Sequence, residues 1–399
     1  MEVQAQTSIL SGKRLLIGVS GGIAIYKTLS LLSLLNKQGV HTEVVMTKGA
    51  QEFVRPLAFQ TMSQHRVYTE LFSEEDHFIP HIDLSRDKDA ILVAPASADF
   101  LARTAQGRAE DLLSAILLAA KCPILLSPAM NVVMYENAAT QQNLKILRDR
   151  GMHVLEPGYG WLACNETGAG RMPEASDLLA YLEDFFTPKD LAGKRIVVTG
   201  GGTRERLDPV RFLTNDSSGK QGLALAKRAR MRGAEVLFIH GSMKVQIPNG
   251  LPSIYAESTE QMLAELEKVF PTCDALVMAA APCDYRPEHP ASHKMKKDGS
   301  GKKVLHLCET PDILRTLTAH KEQQCVIGFA AETQNLLEHA QEKRIAKKLD
   351  YIIANDVSQP GVGFDGDTNR VTILSAEGAR ALPMLSKEAT ADAVLDLLV

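Results

Sequence analysis

Hydrophobic and polar positions along this chain fall into a repeating alternation. Short apolar runs rich in β-branched residues, LLIGV (15–19), HTEVVMT (41–47), AILVAPA (90–96), PILLSPA (123–129) and MHVLEP (152–157), predict strands. Between them, apolar residues recur at helical spacing over 23–38, 50–60, 98–103, 109–120 and 136–150. The alternation resumes with strands at 195–200, 234–241, 275–282, 325–332 and 351–356, and helices at 219–232, 259–269, 311–319 and 334–348. A hairpin-like VTILSAEGARALP (371–383) and a helix over 386–398 close the chain. Strand–helix–strand order predicts parallel sheets joined by right-handed crossovers. The fold class is α/β, with two doubly wound parallel-sheet domains.

The boundary falls in EDFFTPKDLAGK (183–194), where Pro and Gly sit among charges, giving domains 1–187 and 188–399. YRPEHPASHKMKKDGSGKKVLHLCE (285–309) lacks helical periodicity and predicts an exposed loop or a long twisted hairpin. Both domains open alike, with RLLIGVSGGIAIYK (14–27) and RIVVTGGGTRERLDPVRFLTNDSSGKQG (195–222). A strand that feeds a glycine turn and a helix start brings backbone N–H groups up to a phosphate, so two nucleotide-type sites are expected.

Composition narrows the classes. At 45% hydrophobic and 23% charged residues the chain reads as ordinary soluble protein. A net charge of −4 supplies no field for nucleic acid or a membrane surface, so small molecules are the expected partners. No apolar run is long enough to span a bilayer, and MEVQAQTSIL lacks a signal peptide's basic start. The six cysteines have no metal or disulfide spacing, which predicts reduced, mostly inert thiols and a cytoplasmic protein.

Candidate chemistry in the first half lies in five segments: SGGIAIYK (20–27), HIDL (81–84), APASAD (94–99), PAMNVVMY (128–135) and GYGWLACNETGAGRM (158–172). Each has a plain structural explanation: a helix cap, a core histidine, a strand end, a methionine pair in the core, a glycine-rich mobile loop. Their order is more specific than any one of them. HI-x-L, PAMN and AC-x-x-x-G-x-G-RM together resemble the flavin-dependent decarboxylase half of the bifunctional phosphopantothenoylcysteine decarboxylase / phosphopantothenate–cysteine ligase family, over residues 12–185.

The resemblance implies a flavodoxin-like domain that binds FMN through Ser20, Gly21, Gly22, Thr47, Ala96 and Ser97. It implies that His81 assists decarboxylation, that Asn131 binds the substrate carboxylate, with Met130 in a loop clasping the pantothenate arm, and that Cys164 supplies a proton. Loss of CO2 needs an electron sink, and oxidation of the substrate thiol to a thioaldehyde by way of FMN provides one. Two departures from the family pattern are Asp99, where Asn is frequent, and Asn165-Glu166-Thr167 after the cysteine.

In the second half, Arg204, Arg206, Arg211, Asn215 and Lys220 crowd around a glycine turn without Walker or Rossmann spacing. Clustered cations with backbone donors favour a phosphorylated ligand. With AAAPCDYRP (279–287), KMKK (294–297) and GFAAET (328–333), this set resembles the ligase half of the same family over about 190–399, with a Rossmann-like fold. The resemblance implies activation of a carboxylate by CTP, with Mg2+ on the triphosphate, and then attack by cysteine. Lys294 and Asn215 would be catalytic. Asp284, Pro311, Asp312, Ile313, Leu314, Phe329, Lys343 and Lys347 would bind CTP, and Arg211 and Ala280 would matter to ligation. A homo-oligomer is also implied. Two other readings compete: a two-domain nucleotide-dependent flavoprotein oxidoreductase, which needs G-x-G-x-x-G and an acid after the second strand, and a binding subunit with decayed sites. The second strand ends in Met46-Thr47-Lys48, and His81, Cys164, Lys294 and Asn215 are all present.

Overall fold

The computed structural model describes residues 8–72, 79–161, 167–296, 303–332, 336–356, 366 and 368–399. The chain divides into a unit spanning Thr7–Phe186 and a unit containing Thr187–Val399.

The first unit is built on six strands: β1 (Arg14–Val19), β2 (His41–Met46), β3 (Val67–Tyr68), β4 (Ala90–Ala96), β5 (Ile124–Pro128) and β6 (His153–Val154). They are parallel, in the order β3-β2-β1-β4-β5-β6. Without the two-residue β3, which is too short to carry a period, the five strands run 2-1-3-4-5, the flavodoxin order. Every residue of β4 is buried, as expected of a central parallel strand covered on both faces. One face packs Leu15, Ile17 and Leu92 against Leu31, Leu35, Leu178 and Leu182, and the other packs Leu16, Ile91 and Val93 against Phe100, Ile116 and Leu144. The expected helix over 50–60 is instead two, Lys48–Gln51 and Pro56–Ser63. Pro56 forces Arg55 into an extended conformation, and the helix restarts there. The glycine-rich segment over 158–172, expected to be a mobile loop, contains an antiparallel hairpin of β7 (Gly158–Trp161) and β8 (Thr167–Arg171).

In the second unit β9 (Arg195–Gly200) is followed by a small hairpin, β10 (Arg204–Arg206) with β11 (Phe212–Thr214). The main sheet adds β12 (Glu235–His240), β13 (Ser253–Tyr255) and β14 (Ala275–Met278). A second hairpin, β15 (Tyr285–Pro287) with β16 (Leu307–Glu309), forms the base of the 285–309 segment. Then come β17 (Cys325–Glu332), β18 (Tyr351–Asp356), β19 (Thr368–Asn369), β20 (Val371–Leu374) and β21 (Ala379–Ala381). The sheet order is β13-β12-β9-β14-β17-β18-β20-β21, and only β20 runs against the others, pairing antiparallel with β18 and β21. β14 stops at Met278, short of the expected 282, because residues 280 and 281 turn their N–H groups onto the Thr199 hydroxyl and Gly201 O. Burial pushes the thiols of Cys273 and Cys325 up to about 11, which keeps both protonated and inert at neutral pH.

Helix Lys220–Met231 lies directly on the end of β9. A Cβ placed on Gly222 would meet Thr199 O at 2.6 Å and Gly200 Cα at 2.7 Å. Gly222→Ala should therefore destabilise this unit by roughly 1–3 kcal/mol. Calorimetry should record a lowered transition, and an unchanged one would mean that the helix moves away freely.

Candidate functional site

The first candidate site opens at the carboxyl ends of β1, β2 and β4, where the strand order reverses. Ser20 follows β1 and is 1% exposed. Its hydroxyl donates to Pro95 O (2.8 Å) and accepts from Ser97 N (2.8 Å), tying two strand ends together. Thr47 N donates to Val19 O (3.0 Å), and the Thr47 hydroxyl caps Lys48–Gln51. Ser97 caps Ala98–Ala105, so that helix presents its N-terminus here. A Cβ on Gly21 would sit 2.9 Å from the Gly49 carbonyl, so the two turns can touch only because position 21 has no side chain. The result is a cleft of about 770 Å3 lined by Ser20, Gly21, Thr47 and Ser97, with Arg103, Asp111 and Met134 on its walls. Gly22 and Ala96 adjoin these residues; Ala96 is buried at the end of β4.

Asp99 does not leave an isolated negative charge in this cleft. Arg103 Nε donates to it at 3.0 Å and Arg103 Nη1 to Asp111 at 2.8 Å. Burial works to raise the Asp111 carboxyl, but Arg103 and the Ser114 N–H and hydroxyl together bring it below the usual carboxylate range.

The β7–β8 hairpin docks on the PAMN segment. Met130 N donates to Gly170 O at 3.0 Å, and Cβ atoms on Gly168 and Gly170 would collide with Val132 and with Met130 O at 2.5 Å each. Asn131 caps helix Val132–Glu136, its Oδ1 accepting from Val133 N (2.8 Å) and Met134 N (3.3 Å). His81 is half-buried on the short helix Pro80–Asp83, which packs on Leu112–Ala119. Neither His81 nor Asn131 lines the cleft. Cys164 falls outside the described residues. Lys27 is a feature that sequence reasoning missed: 3% exposed, it donates to Met172 O (2.5 Å) and pairs with Glu174 (2.9 Å), anchoring the hairpin's exit. The signal was there, because Lys27 shares a helical stripe with Leu31 and Leu35.

The second candidate site is a cavity of about 640 Å3 whose lining includes Pro282, Cys283, Asp284, Thr310, Pro311, Asp312, Ile313, Leu314, Phe329 and Lys347. Its floor is held by hydroxyls. Cys283 N donates to Thr203 Oγ1 (2.9 Å), and Thr310 Oγ1 donates to Cys283 O (2.6 Å). Thr203 in turn meets Thr259 (3.0 Å), whose hydroxyl donates to the buried Glu205 carboxylate (2.8 Å). Burial pushes the Cys283 thiol up. Asn215 Nδ2 donates to Pro282 O (2.9 Å), which sets Asn215 beside the cavity, and Ala280, whose N donates to Thr199 Oγ1 (3.1 Å), does not line it. Asp312 caps Ile313–Thr318 and pairs with Lys347 (3.0 Å). Lys343 is exposed and does not line the cavity. A smaller hollow of about 110 Å3 adjoins, walled by 217–222, Lys387 and, again, Phe329.

The arginines of the glycine-turn segment are engaged within the protein. Arg204 and Arg206 stack on Phe212 at 4.5 and 5.7 Å, and Arg206 also pairs with Glu257. Arg211 pairs with the buried Asp208 (2.5 Å). Lys294 is exposed, one residue before Met295, whose N–H donates to Asp208 Oδ2 (3.1 Å). Among the described residues, no three His, Cys, Asp or Glu side chains are grouped to hold a metal ion.

Residues 3–187 match a family model described as "Flavoprotein", and residues 191–399 match "DNA/pantothenate metabolism flavoprotein C-terminal domain". The chain is 43% identical to the coenzyme A biosynthesis bifunctional protein CoaBC of Bacillus subtilis (strain 168), covering 95% of each chain. It is 39% identical to the protein of that name from Escherichia coli (strain K12), covering 98% of this chain and 97% of that one. A crystal structure of the C-terminal domain of such a protein is 37% identical, covering 53% of this chain and 96% of that one, with a TM-score of 0.45. A PPC decarboxylase mutant complexed with pantothenoylaminoethenethiol is 27% identical, covering 44% of this chain and 98% of that one, with a TM-score of 0.40.

Gly170→Ala should lift the hairpin off residues 130 and 131, because its φ of +129° and the Met130 carbonyl leave no room for a methyl. Hydrogen exchange at the Met130 amide should then accelerate by about tenfold or more as its bond to Gly170 is lost. Unchanged protection would show that the hairpin tolerates the methyl.

Proposed function

The chain belongs to the family of coenzyme A biosynthesis bifunctional proteins, and on that premise we propose that its two units carry consecutive reactions. Residues 188–399 join 4′-phosphopantothenate to cysteine at the expense of CTP. Residues 1–187 decarboxylate the product, with FMN, to 4′-phosphopantetheine. The observation that carries this reading is the gathering of Asp284, residues 311–314, Phe329 and Lys347 around one cavity, with Asn215 bonded to its rim.

In the ligase, a carboxylate oxygen attacks the α-phosphorus of CTP and pyrophosphate leaves. The amine of cysteine then attacks the acyl-cytidylate and CMP leaves. Asp284, Pro311, Asp312, Ile313, Leu314, Phe329, Lys343 and Lys347 bind CTP, and Mg2+ travels with the triphosphate. Lys294 neutralises charge in the first step and Asn215 orients the acyl-cytidylate in the second, with Arg211 and Ala280 serving the same site.

The first cleft fits a flavin phosphate: two hydroxyls, a helix N-terminus and a turn that only glycine allows converge on it. Ser20, Gly21, Gly22, Thr47, Ala96 and Ser97 would hold FMN, which supplies a two-electron sink for the substrate thiol. His81 would assist decarboxylation. Asn131 would donate from its N–H2 to the substrate carboxylate. Met130 flanks the substrate, and Cys164 delivers the last proton. A homo-oligomer, as the family resemblance implies, is part of this reading. Among the described residues no helix is long and apolar enough to cross a membrane, and the proposed location is the cytoplasm.

The purified protein should be yellow and release FMN on denaturation; a colourless protein that cannot be reconstituted would overturn the first reaction. With phosphopantothenate and CTP, Lys294→Gln should form no acyl-cytidylate, whereas Asn215→Asp should accumulate it. Cysteine ligation at the wild-type rate by Asn215→Asp would remove Asn215 from the mechanism.

A further inference from the structure

Asp208 is a buried carboxylate, 1% exposed, that no step above uses. One oxygen accepts from Val210 N (2.8 Å) and Arg211 N (2.9 Å). The other accepts from Arg211 Nε (3.0 Å), Arg211 Nη2 (2.5 Å) and Met295 N (3.1 Å). Arg211 Nη2 also donates to Met295 O at 2.7 Å. Carboxylate and guanidinium thus offer Met295 one acceptor and one donor, as a neighbouring strand would. A third bond, Ala291 N to Leu207 O (2.9 Å), ties the same two segments four residues earlier. The Arg211 guanidinium, aided by three backbone N–H groups, holds the Asp208 carboxyl far below the usual carboxylate range, so the charge on this clamp is permanent.

We propose that Asp208, through Arg211, is a positioning residue that docks the 291–295 segment and thereby places Lys294 for the activation step. The clamp grips Met295, the residue after Lys294, while the Ala291–Leu207 bond holds the segment three residues before it, and the lysine side chain itself stays exposed. Arg211 therefore contributes to ligation by fixing a loop, in addition to anything its remaining N–H groups contact. The proposal rests on the reading of Lys294 given above.

Asp208→Asn keeps the shape but offers one acceptor where two faces need one. In the full-length variant, trypsin should cut after Lys294 and Lys296 about tenfold faster than in the parent. The ligase kcat should fall about tenfold or more while the KM for CTP stays within about twofold, since nothing in the CTP cavity has changed. Decarboxylation by the same chain should be unaffected. Unchanged cleavage overturns the proposal, as does faster cleavage with a full kcat, or a loss confined to KM. If Lys294→Gln retains ligase activity, the catalytic reading of Lys294 fails instead, and cleavage alone decides whether Asp208 docks the loop. Should Asp208→Asn not fold, Arg211→Lys is put to the same measurements, because it leaves the carboxylate paired but withdraws the bond to Met295 O.

Discussion

Both sites depend on one interaction repeated in two sheets: a hydroxyl at the end of the first strand that catches the backbone of the turn after the fourth. In the first unit Ser20 bridges Pro95 O and Ser97 N. In the second, Thr199 accepts from Ala280 N and Thr203 accepts from Cys283 N. In each sheet the first and fourth strands are neighbours and their connections leave in opposite directions, so a crevice opens between them. Backbone groups at the lip of that crevice have no strand to pair with, and an unpaired buried group costs about 1–3 kcal/mol. A short hydroxyl satisfies them without filling the space, which is why the crevice stays both rigid and empty enough for a ligand.

Most of this architecture was legible in the sequence, because long parallel strands and amphipathic helices carry strong periods. What escaped was short or glycine-rich. Val67–Tyr68, β10 and β11 hold two or three residues each, too few for any alternation. The β7–β8 hairpin read as a loop because its glycines, selected for close approach to the PAMN segment, look like flexibility. Asp284, six residues beyond β14, and Phe329, in the middle of β17, line one cavity, and only the family resemblance joined them in the sequence. The cations were harder. Arg204, Arg206 and Arg211 looked like a phosphate cradle, and the sequence did not show that Phe212, Glu257 and Asp208 also hold them in place. Asp208 stands three residues before Arg211, so the pair was visible; only the tertiary contact to Met295 made it meaningful.

Phe329 belongs to two compartments at once, the larger cavity and the small hollow at the start of helix Lys220–Met231. One aromatic ring is thus a shared wall. It is the side chain that the two linings have in common, so a smaller residue here would thin the partition between them. The two compartments are therefore not independent, and a change of side chain at this one position alters both.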